Sequence, residues 1–333
     1  MQKKIFVAVM MSLVLFLVLT STQAQAGPIE IKVSHATSLQ STKGQTWEYF
    51  KKITEERLAG KVVVSHHHSA QLYGQKEGIQ ALQAGAVQLI SPGAALMTGD
   101  FPKMALFALP FLFNDEEDMR TLAKHPLVKQ KIFDEMPKKG LKFVAFWLNG
   151  FRFAGASKHP IRKLEDFGDI KIRVAGGKVY RDTFKALGAN VVAVSWSEIV
   201  PALQQGTVDA VEPTASNWES EKLYEIAKYI TFTNHLLSSY IVATNDAWWK
   251  SLPNDIRGEL EKLLDETTDY NWKMTKEENQ RAIERMKATG NVQFFNLTKE
   301  ERKRWAEKVK PVHKEYESII GKDLMDIAYK IIQ

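Results

Sequence analysis

Two stretches of the chain, residues 81–92 and 202–213, follow the same pattern, and this recurrence constrains the fold more than any other feature. They read ALQAGAVQLISP and ALQQGTVDAVEP. In each copy an apolar helix end meets a glycine, a short apolar run predicts a buried strand, and a proline ends it. One copy in each half predicts two similar α/β lobes; a chance recurrence of common helix-stop chemistry is the alternative. Ligands of open α/β sheets bind beyond the carboxyl ends of strands, so the loops at 91–93 and 212–214 should face a shared cleft.

The first 26 residues have the three parts of a secretory signal peptide. Lys3 and Lys4 form a basic start, residues 5–19 are apolar, and a small-x-small cleavage site ends at Ala26. The apolar stretch is short for a membrane span, which favours cleavage over a retained anchor. The chain contains no cysteine, which excludes disulfides and a lipid-modified N-terminal cysteine. We therefore expect an exported protein of the periplasm, with two domains of ordinary size after the signal.

The charge balance of the chain argues against a nucleic-acid-binding function. The formal net charge is +6, and Lys3 and Lys4 of the signal peptide contribute two of these charges. Runs such as residues 299–304 mix both signs, and no dense basic stripe appears, so nucleic acid is not an expected partner. The mild positive excess is compatible with an anionic small ligand.

The hydrophobic pattern predicts alternating strands and helices. A strand at 29–33, a helix that ends at Gly60, a strand at 61–65 and a helix from Gln75 lead into the first repeat copy. This β-α-β-α-β order indicates a parallel sheet with right-handed crossovers. Further along the chain, the pattern predicts helices at 115–136 (with a break at Pro126), 179–187 and 224–228, and a helix that opens at 196–198. It predicts strands at 141–147, 151–154, 169–174, 191–194 and 240–243. Two helices follow, one at 253–290 with Gly258 as a candidate bend and one at 297–320 interrupted or restarted at Pro311.

No catalytic or cofactor motif appears in the sequence: there is no nucleophile elbow, P-loop, dinucleotide-binding glycine pattern or zinc-helix motif. The triplet at 66–68 is all histidine, but on a strand only His66 and His68 share a face, and nothing nearby completes a tetrahedral ligand set. We therefore expect no catalytic residues, no cofactor and no metal.

Two arginines and two ring-bearing residues are the candidate binding residues. Arg152 and Arg173 lie in or beside predicted strands, and the planar guanidinium suits a carboxylate because it donates two parallel charge-assisted hydrogen bonds. Trp196 begins a predicted helix, and His35 ends the first strand, where the cleft rule places ligand groups. Ordinary surface arginines, core packing of Trp196 and a backbone-bonded His35 are the alternatives from composition alone.

The sequence resembles the extracytoplasmic solute-binding subunits of tripartite ATP-independent periplasmic (TRAP) transporters, in their C4-dicarboxylate-binding branch. The resemblance covers essentially the whole mature chain, and it depends on the order and spacing of several segments rather than on one motif. These segments are 31–36 (IKVSHA), 69–74 (SAQLYG), 108–113 (ALPFLF), 149–152 (NGFR), 171–174 (KIRV), 196–198 (WSE), 202–209 (ALQQGTVD), 233–235 (TNH) and 249–253 (WKSLP).

The resemblance implies an α/β, two-lobed periplasmic binding protein fold, with a cleft between two α/β domains and a long hinge-spanning helix. With residues 1–26 as signal peptide, we expect domain I at 27–150 plus 239–278 and domain II at 151–238 plus 279–333. The implied function is capture of a small organic acid, most simply a C4-dicarboxylate such as malate, succinate or fumarate. The implied partner is a membrane permease of small and large TRAP subunits; we expect a monomer and no enzymatic activity.

The resemblance also assigns roles to individual residues. The arginine that matches Arg173 forms the salt bridge to the ligand carboxylate, the one that matches Arg152 often supports the ligand, and the aromatic residue that matches Trp196 lines the pocket. Positions that match Gln75, Ser91 and Tyr240 lie near it.

One departure from the family pattern bears on the ligand. Members commonly read Glu-Asn-Pro where this chain has Glu212 followed by Pro213, and the asparagine helps to hold the ligand. Pro213 offers no amide donor, so the contact is missing or comes from Thr214 or Asn217. With Trp196 and Trp218, this departure motivates a second hypothesis, a receptor for a monocarboxylate, sugar acid or aromatic acid.

A third hypothesis, a secreted hydrolase or lyase, would use paired carboxylates such as Glu198 and Glu212 as acid and base. No motif in the sequence supports it.

Overall fold

A computed structural model describes residues 27–332, and the signal peptide predicted for residues 1–26 lies outside them. Nine strands form one mixed sheet in the order β2-β1-β3-β8-β4-β7-β5-β6, with β9 paired to β8. The strands are β1 Ile29–Ser34, β2 Val62–His67, β3 Leu89–Ile90, β4 Leu141–Ala156, β5 Lys171–Val174, β6 Asn190–Ala193, β7 Ala210–Val211, β8 Tyr229–Asn245 and β9 Gln293–Asn296.

Helices cover this sheet. The α-helices are Thr42–Arg57, Gln75–Gln83, Glu116–Lys124, Pro126–Lys131, Lys178–Ala186, Ile199–Gln204, Ala215–Ser220, Asp246–Ser251, Asn254–Ala288, Lys299–Ile320 and Lys322–Ile331. Short 3-10 helices lie at Ala94–Met97, Pro102–Ala108, Phe133–Lys139, Leu164–Phe167 and Leu223–Glu225. No helix within residues 27–332 is both long and apolar enough to cross a bilayer.

The first half of the fold has the predicted parallel β-α-β-α-β order. β1 pairs in parallel with β2 on one side and β3 on the other. Ile31 and Val33 of β1 are fully buried together with Trp47 and Phe50 of the helix that follows. This packing of an amphipathic helix on a parallel sheet is the source of the local stability.

Both copies of the repeat form the same unit. Gly85 and Gly206 follow the two helices with φ angles of +76° and +68°, a left-handed conformation that glycine adopts without steric cost. β3 and β7 come next, and both are buried. The Pro92 carbonyl accepts a hydrogen bond from the Ile241 amide of β8 at 3.0 Å, and the Pro213 carbonyl accepts one from the Phe153 amide of β4 at 3.3 Å.

The second half repeats the parallel arrangement, since β5 pairs in parallel with β6 and β7. The alternation predicted for strand 169–174 is present over the shorter β5, but the polar face is not exposed, because Arg173 is buried. The helix predicted for 224–228 is wrong: only Leu223–Glu225 forms a 3-10 turn, and β8 begins at Tyr229.

Two long antiparallel strands, β4 and β8, join the halves at the centre of the sheet. The two strands predicted at 141–147 and 151–154 are one strand. A register shift between Leu148 and Gly150 bends it, and Gly150 has a φ of +113°. A Cβ at Gly150 would come 2.4 Å from the Asn279 amide nitrogen, and the positive φ strains any residue that has a side chain, so the position favours glycine.

The long helix Asn254–Ala288 passes along both halves. It packs on β4, on Thr42–Arg57 of the first half and on Ala215–Ser220 of the second. It is continuous through Gly258, and Lys299–Ile320 is likewise continuous through Pro311, where the pattern predicted an interruption. The helix Lys322–Ile331 was not predicted. The predicted two-lobed fold with a hinge-spanning helix is confirmed.

Candidate functional site

A small, enclosed cavity lies between the two halves, where the carboxyl ends of both sets of parallel strands meet. Thr37 follows β1 and Gly93 follows β3 in the first half, while Ala175 follows β5 and Trp196 follows β6 in the second. This is the position at which open α/β sheets bind ligands. The complete lining is Thr37, Gln75, Gly93, Ala95, Leu96, Asn149, Arg152, Arg173, Ala175, Tyr180, Trp196, Asn217, Ser238 and Tyr240.

The two repeat loops position the groups at the centre of the cavity. The loop after β3 forms a bridge from Gly93 to Tyr240 of β8, and the loop after β7 forms a bridge from Thr214 to Arg152 of β4. Each loop therefore fixes one cavity-lining residue of a central strand. The two repeat loops therefore lie at one cavity, as the repeat predicted.

Arg173 presents an unpaired guanidinium to the cavity. Its side chain is buried, its Nε donates to the Val194 carbonyl at 3.0 Å, and its Nη1 has no hydrogen-bond partner in the described part of the chain. The guanidinium carbon lies 5.5 Å from the centre of the Trp196 ring, within range of a cation–π contact. Burial lowers the pKa of Arg173 to about 10, although the nearby charge of Glu212 opposes this and outweighs that of Arg152, so the group stays protonated near neutral pH.

Arg152 differs from Arg173 because a carboxylate of the protein holds it. Its Nε donates to Glu212 Oε2 at 2.5 Å and its Nη2 donates to Oε1. His235 Nε2 lies 3.3 Å from the same carboxylate. Burial alone would raise the pKa of Glu212, but Arg152 and His235 outweigh it and hold the pKa at about 2. The Nε and Nη2 edge of Arg152 is occupied, which leaves Nη1 for a ligand.

Lys43 is a second buried cation without an acceptor, and sequence reasoning missed it. It is fully buried in the helix Thr42–Arg57, its Nζ has no partner among residues 27–332, and Nζ lies 3.7 Å from the centre of the Tyr240 ring. Burial lowers the pKa of Lys43 from 10.5 to about 7. Lys43 is thus a desolvated amine immediately behind a wall of the cavity, only partly protonated near neutral pH.

Polar side chains complete the walls. Asn149 Nδ2 donates to Ser238 Oγ at 3.2 Å, and Thr214 Oγ1 donates to Asn149 Oδ1 at 3.1 Å. Asn217 Oδ1 is buried without a partner in the described residues. Burial raises the pKa of Tyr240 to about 12, so its hydroxyl remains a neutral donor. The cavity therefore combines cationic and neutral donors in a water-poor space, which suits an organic anion.

The structure brings five of the seven predicted site residues together: Arg173, Arg152, Trp196, Tyr240 and Gln75 all line the cavity. Ser91 does not line it; its hydroxyl is buried and accepts from Trp47 Nε1 at 2.9 Å. His35 lies behind Thr37, whose hydroxyl is 3.1 Å from its Nδ1. Both residues support the wall rather than face the space.

His66 of the histidine triplet, Trp218 and Glu212 have structural partners. His66 contacts Glu48 through Nδ1 at 2.5 Å and His35 through Nε2 at 2.7 Å. Trp218 packs in the core and donates to the Phe153 carbonyl at 3.2 Å. Glu198 is exposed, whereas Glu212 is buried against Arg152. Neither Trp218 nor Glu198 lines the cavity.

Asn149, Tyr180 and Ser238 were also not predicted. Tyr180 lies in the first turn of the helix Lys178–Ala186, and the guanidinium carbon of Arg152 lies 5.3 Å from its ring centre. Each of these residues sits in an element that looks ordinary in sequence. Only the pairing of β4 with β8 and the packing of that helix bring them to one place.

Comparisons with known proteins agree with this geometry. The model of bacterial extracellular solute-binding protein family 7 (DctP) matches residues 33–319. The chain is 36% identical over 254 residues to the C4-dicarboxylate-binding periplasmic protein DctP of Rhodobacter capsulatus, covering 75% of each protein.

Two solved structures are similar over nearly their full length. One is a TRAP periplasmic solute-binding protein from Shewanella oneidensis with bound succinate: TM-score 0.89, 32% identity, 92% of this chain and 100% of that one. The other is the sugar acid binding protein DctPAm from Advenella mimigardefordensis in complex with galactonate: TM-score 0.88, 29% identity, 92% and 99%.

Proposed function

The chain belongs to bacterial extracellular solute-binding protein family 7 and is a periplasmic solute-binding protein of the TRAP type; from this premise we propose that its ligand is a C4-dicarboxylate such as malate, succinate or fumarate. The observation that carries the proposal is the unpartnered Nη1 of buried Arg173 at the cavity. An uncompensated cation in a water-poor site favours an anion, and the planar guanidinium favours a carboxylate.

The distribution of charge supports a ligand with two carboxylates. Arg173 holds the first, since Glu212 neutralises Arg152 and leaves Arg173 free. The second lies toward Arg152 Nη1 and Tyr240, in the field of Lys43. A second carboxylate near Lys43 would favour the protonated form of this amine, whose pKa burial lowers to about 7, and would gain an attraction that a ligand with one charge lacks.

Asn217 replaces the polar contact that Pro213 cannot make. It is buried at the cavity, four residues after Pro213, with a free Oδ1. A ligand hydroxyl or a protonated group would satisfy this acceptor, and the Asn217 amide nitrogen would donate to a carboxylate. This placement lets the chain depart from the Glu-Asn-Pro pattern and keep an organic acid as ligand.

Delivery to a permease of small and large TRAP subunits follows from the family. We also propose the domain division given above, 27–150 plus 239–278 and 151–238 plus 279–333, together with a monomeric state and ligand capture without turnover. The ligand is enclosed because each repeat loop and the end of each set of parallel strands contributes one wall.

A sugar acid is the second candidate, because the structure with bound galactonate is nearly as similar as the one with bound succinate. A thermal-shift panel separates the two, since a ligand stabilises the folded state by RT ln(1 + [L]/Kd). The panel contains malate, succinate, fumarate, galactonate, glucuronate, lactate and benzoate at equal concentration.

We expect the largest rise in Tm with a dicarboxylate, and no change in the acid after overnight incubation with the protein. A rise with galactonate or glucuronate and none with the dicarboxylates would contradict the proposed ligand. Arg181→Ala, in the helix Lys178–Ala186 but outside the cavity lining, is the control that should retain the wild-type response.

A further inference from the structure

Two glycines beside the cavity touch the opposite half of the molecule. Gly176 and Gly177 follow β5, and they lie against the 3-10 helix Ala94–Met97 that follows β3. A Cβ at Gly177 would be 2.6 Å from the Ala95 carbonyl oxygen and 3.2 Å from its carbon. A Cβ at Gly176 would be 2.9 Å from Leu96 Cδ2. The backbone of one half therefore meets the other half where no side chain fits.

This contact forms part of the enclosure of the cavity. Ala95 and Leu96 line the cavity on one side of the contact, and Ala175 lines it on the other. The approach of Gly177 to Ala95 thus fixes how close the two walls come. A backbone atom cannot move aside as a flexible side chain can, so a substituent at Gly177 would have to push the walls apart.

A second contact joins the halves through Glu221. Its Oε1 accepts from the Ser38 amide of the first half at 3.3 Å and from the Trp196 indole nitrogen of the second half at 3.4 Å. Trp196 lines the cavity and packs on the Arg173 guanidinium. Glu221 therefore links a cavity wall of one half to the backbone of the other.

We propose that Gly176 and Gly177 allow this receptor to close, because their lack of side chains lets the two lobes approach and enclose the ligand. Glu221 then stabilises the closed arrangement through its hydrogen bonds to both lobes. The inference rests on the proposed function, since it concerns how that site retains its ligand. A ligand that bridges both lobes favours the state in which these contacts exist. A side chain at residue 177 opposes that state and lowers apparent affinity by the fraction of protein able to close.

The chain offers a matched control for the test. Gly188 has a φ of +92° and nothing within 4 Å of its Cβ position, whereas Gly177 has a φ of +105° and meets Ala95. Alanine at either position strains the backbone, but only Gly177→Ala introduces a clash between the lobes. Succinate is the probe, with calorimetry for affinity, stopped-flow mixing for the dissociation rate and small-angle X-ray scattering for compaction.

We expect Gly177→Ala to bind succinate at least about tenfold more weakly, chiefly through faster dissociation, and to compact less at saturation. Gly188→Ala should bind and compact as the wild type does, even where its Tm falls. Equal affinity in Gly177→Ala and the wild type, or an equal loss in both alanine variants, overturns the inference.

Two further variants keep the test decisive where Gly177→Ala does not fold. The only atom within 4 Å of a Cβ at Gly176 is Leu96 Cδ2, so Leu96→Ala should restore the affinity that Gly176→Ala loses. Glu221→Ala should release succinate faster than Glu225→Ala, which alters an exposed carboxylate of the same region. The inference is also overturned if Leu96→Ala does not restore the affinity and Glu221→Ala releases succinate at the wild-type rate. A wild type that binds no acid of the panel overturns the proposed function, and this inference with it.

Discussion

Arg152 and Glu212 form a buried ion pair in which two guanidinium nitrogens donate to the two carboxylate oxygens. The pair joins the central strand β4 to the loop of the second repeat copy. Because the two charges offset each other, the free positive charge at the cavity comes from Arg173, with Lys43 behind Tyr240. Arg152 is thus held by the protein, and Arg173 is the arginine available to a ligand.

Removing the charge of Glu212 should destabilise the ligand-free protein. Glu212→Gln leaves Arg152 buried without a counter-charge, and breaking such a pair costs about 3–5 kcal/mol of unfolding free energy. Urea unfolding measures the loss. Glu307→Gln, which removes an exposed partner of Lys310, should cost less than about 1 kcal/mol. Similar stability of the two variants would show that the buried pair is not structural.

The same pair predicts how stability depends on acid pH. The pKa of Glu212 falls from 4.5 to about 2 on folding. Its contribution is therefore fully present above about pH 4.5 and is lost as the pH falls toward 2. Urea unfolding between pH 6 and pH 2.5 should give a smaller loss of stability for Glu212→Gln than for the wild type. Parallel profiles for the two proteins would count against the ion pair.

Binding of a dicarboxylate should take up a proton through Lys43. Its pKa is about 7 without ligand, and a bound anion raises it, so near pH 8 the complex carries a proton that the free protein lacks. Affinity should then fall as the pH rises above 7. Calorimetry in buffers of different ionisation enthalpy measures the uptake. Lys43→Met should abolish it and Lys52→Met, at an exposed position, should retain it; uptake that persists in Lys43→Met contradicts the assignment.

Asn217 should hold the ligand in place of the asparagine that the family pattern has at position 213. Asn217→Ala removes one hydrogen-bonding group from the cavity, so succinate should bind about tenfold more weakly. Calorimetry measures this change, with Asn190→Ala at an exposed position as the control. Wild-type affinity in Asn217→Ala would assign the contact to another residue.

The repeat and the periodic strands predicted much of the fold, because both depend on local chemistry. Glycines in left-handed conformation end both repeat helices, and the prolines end both short strands. The pattern predicts two strands within β4 rather than one, because a glycine such as Gly150 is typical of a strand end. Gly150 instead lies at an irregularity of β4 that packs against Asn279. Asn279 is 129 residues away in the chain, so a local sequence pattern does not indicate this contact.

Arg173, to which the family resemblance assigned the ligand carboxylate, lines the cavity, whereas the sequence offered no basis for predicting Lys43, whose position depends on burial alone. Lysine is almost never fully buried, so nothing in the segment around Lys43 indicates a desolvated cation. The position of Asn217 and Tyr180 at the cavity likewise follows from the packing of helices on the sheet. In contrast, the resemblance placed Ser91 near the pocket, but its hydroxyl accepts a hydrogen bond from Trp47.

The most direct test of the account is the affinity of Arg173 variants for the dicarboxylate that stabilises the wild type most. Isothermal titration calorimetry should detect no binding to Arg173→Ala and weakened binding to Arg173→Lys, because truncation leaves a buried ligand charge unpaired and lysine cannot donate two parallel hydrogen bonds. Arg181→Ala should bind as the wild type does. Near-normal affinity of Arg173→Ala would contradict the central claim that this guanidinium holds the ligand carboxylate.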